Sequence, residues 1–350
     1  MKAAGPLAAA ASAPARQGGA RRLVDRVARV RELGIVAALA VLFGVTGAAN
    51  PSFLSYGSIR DILLNSAIIA LLAVGQTLVV VTRNVDLSVS SVVGLSAFGG
   101  ALVLADRPGV PVPLVIAGCV LLGAACGAVN GLLVGVAGVP ALVATLGTLY
   151  AFRGVDYAWA GGRQVNAADM PEGFLTLGTR SVLGVPLPAL VALAVLLAVG
   201  WMLRNLRSGR ELYAIGSSPE AAVLAGIRVR RRVLTAFVAS GALAGLAGVM
   251  WAARFGTVDA TVATGKELDV IAAVVVGGVA IFGGSGSVYG AALGALLLAS
   301  ITSALAVLRV DALAQTAVNG ALLLAAIVLD RLLALRVAAA LRRGRFRDDR

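Results

Sequence analysis

The sequence predicts an all-α polytopic membrane protein with about ten transmembrane helices. Three observations lead there. The 350 residues have a mean hydropathy of +0.94, with 59% hydrophobic and 13% charged residues, where a soluble domain carries about 25% charge. Apolar runs recur along the whole chain, many near the length of about 20 residues that a spanning helix needs. Basic residues cluster between the runs: of 30 Lys and Arg, seven lie in 1–32, seven in 204–232 and seven in 331–350. Clusters beside apolar runs are the positive-inside pattern. They speak against a nucleic-acid partner, for which phosphate contact needs an exposed basic face.

The elements follow in order. Residues 1–32 are Ala/Pro/Gly-rich and then Arg-rich, and read as a disordered basic cytoplasmic tail. The expected spans are 33–48, 62–82, 87–105, 112–135, 138–152, 186–203, 233–252, 267–282, 287–308 and 313–330, within a transmembrane domain of 33–333. Gly47-Ala48-Ala49 faintly resembles a signal-peptidase site, but the first segment reads as a retained helix. Ten spans place both termini, the 204–232 loop and the basic tail 334–350 in the cytoplasm, so all three basic clusters share one side. Arg60, Arg107, Arg153, Arg163, Arg180, Arg254, Lys266 and Arg309 then remain for the outer side.

Two stretches interrupt the helical pattern alike. One runs Arg83-Asn84-Val85-Asp86-Leu87-Ser88; the other lies between Thr257 and Asp269. Each precedes a Val/Gly-rich run, Ser91-Val92-Val93-Gly94 in one case and Val274-Val275-Val276-Gly277-Gly278 in the other. They fall on opposite membrane sides, which predicts an inverted repeat of spans 2–5 and 7–10, the architecture of alternating access. Glycines at four-residue spacing, such as Gly123, Gly127 and Gly131, suit close helix packing in lipid.

The residue inventory excludes much chemistry. Histidine is absent from the chain, which removes the usual general base, His-dependent metal sites and the Ser-His-Asp triad. Cys119 and Cys126 share one helix face and read as packing residues. Thr264-Gly265-Lys266-Glu267 lacks the first glycine and the hydroxyl residue of a phosphate-binding loop. Gly283-Gly284-Ser285-Gly286 lacks dinucleotide-fingerprint spacing and reads as a glycine turn. No catalytic residue, metal or cofactor is expected. Polar residues inside spans are the translocation-path candidates: Asn65, Gln76, Thr77, Asn130, Thr145 and Asn319. Asp86, Asp259 and Asp269 sit at span ends and, with Gly283, Gly284 and Gly286, are the structural or gating candidates.

The 204–232 loop is the most informative segment. Ser217 or Ser218 can cap a short helix, Pro219 suits its first turn, and Glu220 favours its positive end. Gly226 suits its end. A loop that only anchors lipid head groups needs no capped helix, so a docking helix for a cytoplasmic partner is expected, involving Tyr213, Ser217, Ser218, Pro219, Glu220, Ala221, Leu224 and Gly226.

Here the sequence resembles the sugar-type permeases of bacterial ATP-binding-cassette importers, the ribose/xylose/rhamnose group. Gly209-Arg210-Glu211-Leu212-Tyr213-Ala214-Ile215-Gly216 with Ala221-Ala222 and Ala225-Gly226-Ile227 carries the resemblance. So do Leu72-Ala73-Val74-Gly75-Gln76-Thr77 with Asp86-Leu87-Ser88-Val89, and Gly277-Gly278 with Gly283-Gly284-Ser285-Gly286-Ser287 and Gly290. It covers residues 33 to 333; both basic tails depart from it. The resemblance implies an inner-membrane permease that pairs with a second, identical or related permease. Two cytoplasmic ATPase subunits would meet Tyr213 and the Ser217–Gly226 segment. A periplasmic or lipid-anchored binding protein would deliver a monosaccharide, a pentose or a deoxyhexose such as rhamnose, or a sugar-derived signal. An amino-acid-type permease of the same class and an ion-gradient-driven secondary transporter are the alternatives.

Overall fold

The structure, a computed structural model, describes residues 17–311 and isolated positions from 313 to 328, with side chains from Glu32 onward. It is almost wholly helical. Between residues 17 and 311 the α-helices are, in order, α1 (Gln17–Ala49), α2 (Tyr56–Val80), α3 (Val89–Asp106), α4 (Val112–Gly131), α5 (Ala141–Ala160), α6 (Glu172–Thr179), α7 (Leu187–Asn205), α8 (Arg207–Ser217), α9 (Pro219–Leu224), α10 (Val229–Phe255), α11 (Lys266–Val276) and α12 (Val288–Val307). Strands β1 (Ser181–Val182) and β2 (Val185–Pro186) form a hairpin before α7.

Seven helices among the described residues are long and apolar enough to cross a membrane: Glu32–Ala49 within α1, α2, α3, α4 with its π-helical extension to Val136, α7, α10 and α12. This is a multi-pass membrane protein. The expected span 138–152 is α5, a continuous 20-residue helix that carries Arg153 and Asp156 in its second half. The expected span 267–282 needs correction. Its helix, α11, ends at Val276 after 11 residues, about 16 Å, too short for a hydrocarbon core of about 30 Å. Past it the chain turns non-helical through Gly278, Gly283, Gly284 and Gly286, all at positive φ. The helix α1 begins at Gln17, inside the segment expected as a disordered tail; its Ala, Arg, Leu and Glu content favours helix. Residues 1–16, the basic tail 334–350 and much of the expected tenth span lie outside the described residues, and the described positions from 313 to 328 are helical.

Helix pairing follows the small residues. In lipid, association rests on close backbone approach rather than on expulsion of water. α4 packs on α10 along Gly123, Gly127, Gly241 and Gly245, where an added methyl at Gly123 would collide with the Gly241 carbonyl, and one at Gly241 with that of Gly123. α12 packs on α2, α3 on α10, α11 on α2, α3 on α4, and α11 on α12. Exchanging α2–α4 with α10–α12 reproduces each of these pairings, and α2 itself packs on α10.

The two members of that exchange run in opposite directions. α2 begins beside the end of α10: Arg254 Nη1 donates to Asn65 Oδ1 at 2.8 Å, and Arg60 Nη2 donates to the Thr179 carbonyl of α6 at 2.7 Å. α2 ends instead beside α8, at the far end of the 19-residue helix α7. The two interruptions therefore enter the bundle from opposite ends, and they approach each other inside it: Arg153 donates to the Val262 carbonyl of the second and to the Ser90 carbonyl two residues past the first. Each is built on the same turn. Asp86 Oδ1 accepts from the Ser88 N–H (2.9 Å) and hydroxyl (2.7 Å); Asp259 Oδ1 accepts from the Thr261 N–H (2.7 Å) and hydroxyl (2.6 Å). An Asp side chain that bonds two residues on offers the backbone an alternative to the helix ladder, so the chain past Val80 and past Phe255 does not at once resume a helix.

Candidate functional site

One candidate region is the surface formed by α8 and α9. Ser218 caps α9, its hydroxyl accepting from the Ala221 N–H at 3.3 Å, and Pro219 is the first helical residue. At the other end the Gly226 N–H donates to the Val223 carbonyl and the Ile227 N–H to the Ala222 carbonyl, both near 3 Å, with Gly226 at φ +74. These two bonds define a Schellman stop. Only Ala222 of this helix is buried; Glu220, Ala221, Val223 and Leu224 face out, Leu224 at 89% exposure. Ser217 is exposed, with its hydroxyl on the Tyr213 carbonyl. Tyr213 points inward: its hydroxyl donates to the Gly286 carbonyl at 2.9 Å, and burial pushes its pKa up to about 12.

α8 is held to the bundle by Glu211, which the sequence reading did not single out. Its carboxylate accepts from Arg207 at 2.7 Å and from Arg232 at the start of α10. Hydrogen bonds from Arg232 and Arg207 hold its pKa below the usual glutamate range. The signal available in sequence was the i, i+4 pair Arg207/Glu211.

A second region is a buried polar network around the first interruption. Gln76 is fully buried. In the orientation that satisfies both partners, its amide brackets the Asp86 backbone, donating to the carbonyl at 3.1 Å and accepting from the N–H at 3.2 Å. Asn130 of α4 donates to the Ser88 hydroxyl at 2.7 Å and lies 3.5 Å from Asp86 Oδ1. Thr148 of α5 donates to Asn130 Oδ1 at 2.6 Å. Thr145 donates to the Ala141 carbonyl at 2.8 Å and lies 3.2 Å from that of Val85. So Gln76, Asp86, Asn130 and Thr145 come together, with Ser88 and Thr148 as partners the sequence did not mark. Thr77 is buried nearby and bonds the Ala73 carbonyl of its own helix. Asn65 sits apart, in the first half of α2, and Asn319 lies outside the described residues. Asp269 pairs with Lys266 at 2.7 Å within the first turn of α11.

The second interruption has its own buried charge. Arg153 of α5 reaches under Thr257–Gly265: Nη1 donates to the carbonyls of Ala260 (2.8 Å) and Val262 (2.9 Å), and Nη2 to that of Ser90 (3.3 Å). Gly94 makes room for it, since an added methyl there would stand 2.5 Å from the guanidinium. Asp156 is fully enclosed, with Arg153 Nη1 at 3.7 Å, and its oxygens accept no hydrogen bond among the described residues. Sequence reading assigned Arg153 to the outer face by elimination; its i, i+3 spacing from Asp156 was the signal that marked a pair. No group of acidic or cysteine side chains that could hold a metal ion occurs among the described residues.

The family described as branched-chain amino acid transport system / permease component matches residues 58–327. The chain belongs to this family. Its matched segment takes in both interruptions and the α8–α9 surface. Among similar proteins are the autoinducer 2 import system permease proteins LsrC of three bacteria. That of Enterobacter sp. (strain 638) is 39% identical over 300 residues, 86% of each chain. That of Salmonella paratyphi B is 35% identical over 316 residues, 90% of each chain. That of Escherichia coli K12 / DH10B is 34% identical over 316 residues, 90% of this chain and 91% of the relative. No solved structure matches. Family membership places the polar network and the exposed helix in a transport permease, where neither needs to perform covalent chemistry.

Proposed function

We propose that this chain is the membrane-spanning subunit of an ATP-driven importer in a bacterial inner membrane. It would carry a small polyhydroxylated solute, in the first instance autoinducer 2, for which its relatives are named. A second permease, identical or related, completes the path. Two cytoplasmic ATPase subunits dock on the α8–α9 surface, and a periplasmic or lipid-anchored binding protein delivers the solute. Both termini and this surface face the cytoplasm. The chain supplies the path and receives the stroke; ATP chemistry belongs to its partners.

The observation that carries this reading is α9. A six-residue helix is too short to be stable by itself in water. Here it is capped at both ends and presents Val223 and Leu224 outward. Solvent gives no reason to build and expose such a helix; a partner does.

The test is co-purification and uptake. Membranes holding the chain, its ATPase and its binding protein should take up autoinducer 2, with ribose and rhamnose as competitors. Chain purified free of ATPase should hydrolyse no ATP. Uptake driven by ATP in the competitors' favour would change the solute and leave the permease reading intact.

A second reading has one observation in its favour. Asp156, enclosed in α5 and accepting no hydrogen bond among the described residues, is the kind of intramembrane carboxylate that ion-coupled transporters use. Uptake that survives ATP depletion but collapses with the ion gradient would establish that reading instead.

A further inference from the structure

We propose that Arg83 is the positioning residue that carries movement of the docking surface into the membrane bundle; this rests on the proposed function of α8 and α9. Arg83 belongs to neither. It lies in the first interruption, just past α2, at φ +67, a backbone region that L residues with a Cβ avoid. Its side chain explains why that conformation is retained. Nε donates to the Gly216 carbonyl and Nη2 to the Ser217 carbonyl at 2.8 Å. These are the last two residues of α8, where carbonyls lack intrahelical partners and the helix end carries partial negative charge. The next residue, Ser218, is the cap of α9. The guanidinium therefore grips the chain one residue before the docking helix begins.

The joint has no slack. The Gly284 N–H donates to the Val81 carbonyl at 3.0 Å. A methyl added at Gly216 would collide with that same carbonyl and with the Gly284 nitrogen, and one at Gly283 would stand 2.8 Å from the Arg83 nitrogen. The end of α2, the end of α8 and the glycine turn after α11 thus meet backbone to backbone. Three residues beyond Arg83, Asp86 is bound to Gln76 of α2 and Asn130 of α4, and Asn130 to Thr148 of α5. A displacement of α8 has a continuous path: Gly216 and Ser217, Arg83, Asp86, Asn130, Thr148. Packed interiors respond to such a displacement by switching between arrangements rather than by yielding.

The path makes a prediction at its far end that needs no knowledge of the solute. Cys126 lies one turn before Asn130 on α4 and is buried. The chain has two cysteines, so a Cys119→Ser background leaves Cys126 as its one thiol. The chain, co-purified with its ATPase and held in lipid nanodiscs, is treated with N-ethylmaleimide without nucleotide and after trapping with ATP and vanadate. Labelling of the Cys126 peptide is followed by mass spectrometry. The labelling rate should differ about tenfold between the two states, and Arg83→Ala should abolish most of that difference, since it removes both charge-assisted bonds, each worth about a factor of ten or more. ATPase association should persist in this variant, because Arg83 lies outside α9, whose Val223 and Leu224 form the apolar part of the docking surface. Arg83→Lys should give an intermediate response, since an ammonium lacks the fork that reaches two carbonyls at once.

An undiminished Cys126 response in Arg83→Ala overturns the inference, as does a parent chain whose Cys126 ignores trapping. If Arg83→Ala does not accumulate in the membrane, Arg83→Lys decides, and a response equal to that of the parent counts against it. A parent chain that retains no ATPase contradicts the proposed function itself, a failure visible before any labelling is done.

Discussion

Asn130 is fully buried and uses both ends of its amide, the nitrogen on Ser88 and the oxygen on Thr148. Its replacement by Ala takes one partner from each of two buried hydroxyls, which keep Asp86 and the Thr145 carbonyl, at a cost of about 1 kcal/mol for each bond lost. Asn130→Ala should therefore melt below the wild type in detergent; an unchanged melting temperature would mean that the network is slack. Glu211 yields a pH prediction. Its folded pKa is depressed by Arg232 and Arg207, so its stabilising contribution is fully present above the ordinary glutamate pKa and is lost as pH falls through the lower folded value. Between about pH 5 and 8 the clasp stays ionised. Stability should be insensitive to Glu211→Gln substitution only at strongly acid pH; a pH-independent difference between the two proteins would refute the assignment. Asn130 and Gln76 were legible as polar residues in apolar runs. Arg153 was not, because it was counted as one more charge at the outer face, and Glu211 stood out only as part of the motif that carries the family resemblance.

Elements differ in how local their causes are. α9 could be read in advance because Ser218, Pro219, Glu220 and Gly226 lie within nine positions and each acts on its neighbours. Substituting Gly226→Pro should abolish transport while the chain still inserts. Proline is fixed near −65°, against the +74 observed, and it lacks the N–H that bonds Val223. Glu220→Arg should act in the same direction, removing a carboxylate worth about 0.3–1 kcal/mol at the helix start. Normal uptake in both variants would reduce α9 to a connector. α11 was not legible, since its apolar run continues past Val276. What ends it is a Schellman stop at Gly278, φ +91, where the Gly278 N–H donates to the Val275 carbonyl and the Val279 N–H to that of Val274. The α4–α10 crossing is tight: Gly241→Leu should prevent the pair from closing, and membrane levels of the chain should fall. Wild-type levels and uptake would show that the crossing can widen.

At the scale of the molecule, two interrupted helices of opposite direction enter one bundle from opposite ends, the first gripping α8 through its own Arg83 and the second held by Arg153 of α5. Arg83 braces the end that carries α8 and α9; Arg153 braces the end near α6. If the basic clusters set orientation, the Arg83 end is cytoplasmic. Reporter fusions at Arg16 and Arg347 should both report cytoplasm, and a periplasmic signal at either one would invert or break the assignment of ends.

The sequence by itself determined the membrane class, the number and order of most apolar segments, the capped helix α9 and the family resemblance. These depend on hydropathy summed over some 20 residues or on bonds between near neighbours. The tertiary structure decided which polar residues meet. Ser88 and Asn130 are 42 positions apart, Arg153 and Val262 109, Arg83 and Ser217 134. Nothing local encodes such pairs. In a soluble helix an apolar stripe marks the buried face; in lipid both faces are apolar, so periodicity is silent about which side of α2 or α4 turns inward. Contact between backbones at Gly123, Gly241, Gly216 and Gly284 settles that, and the polar side chains fall into place around it.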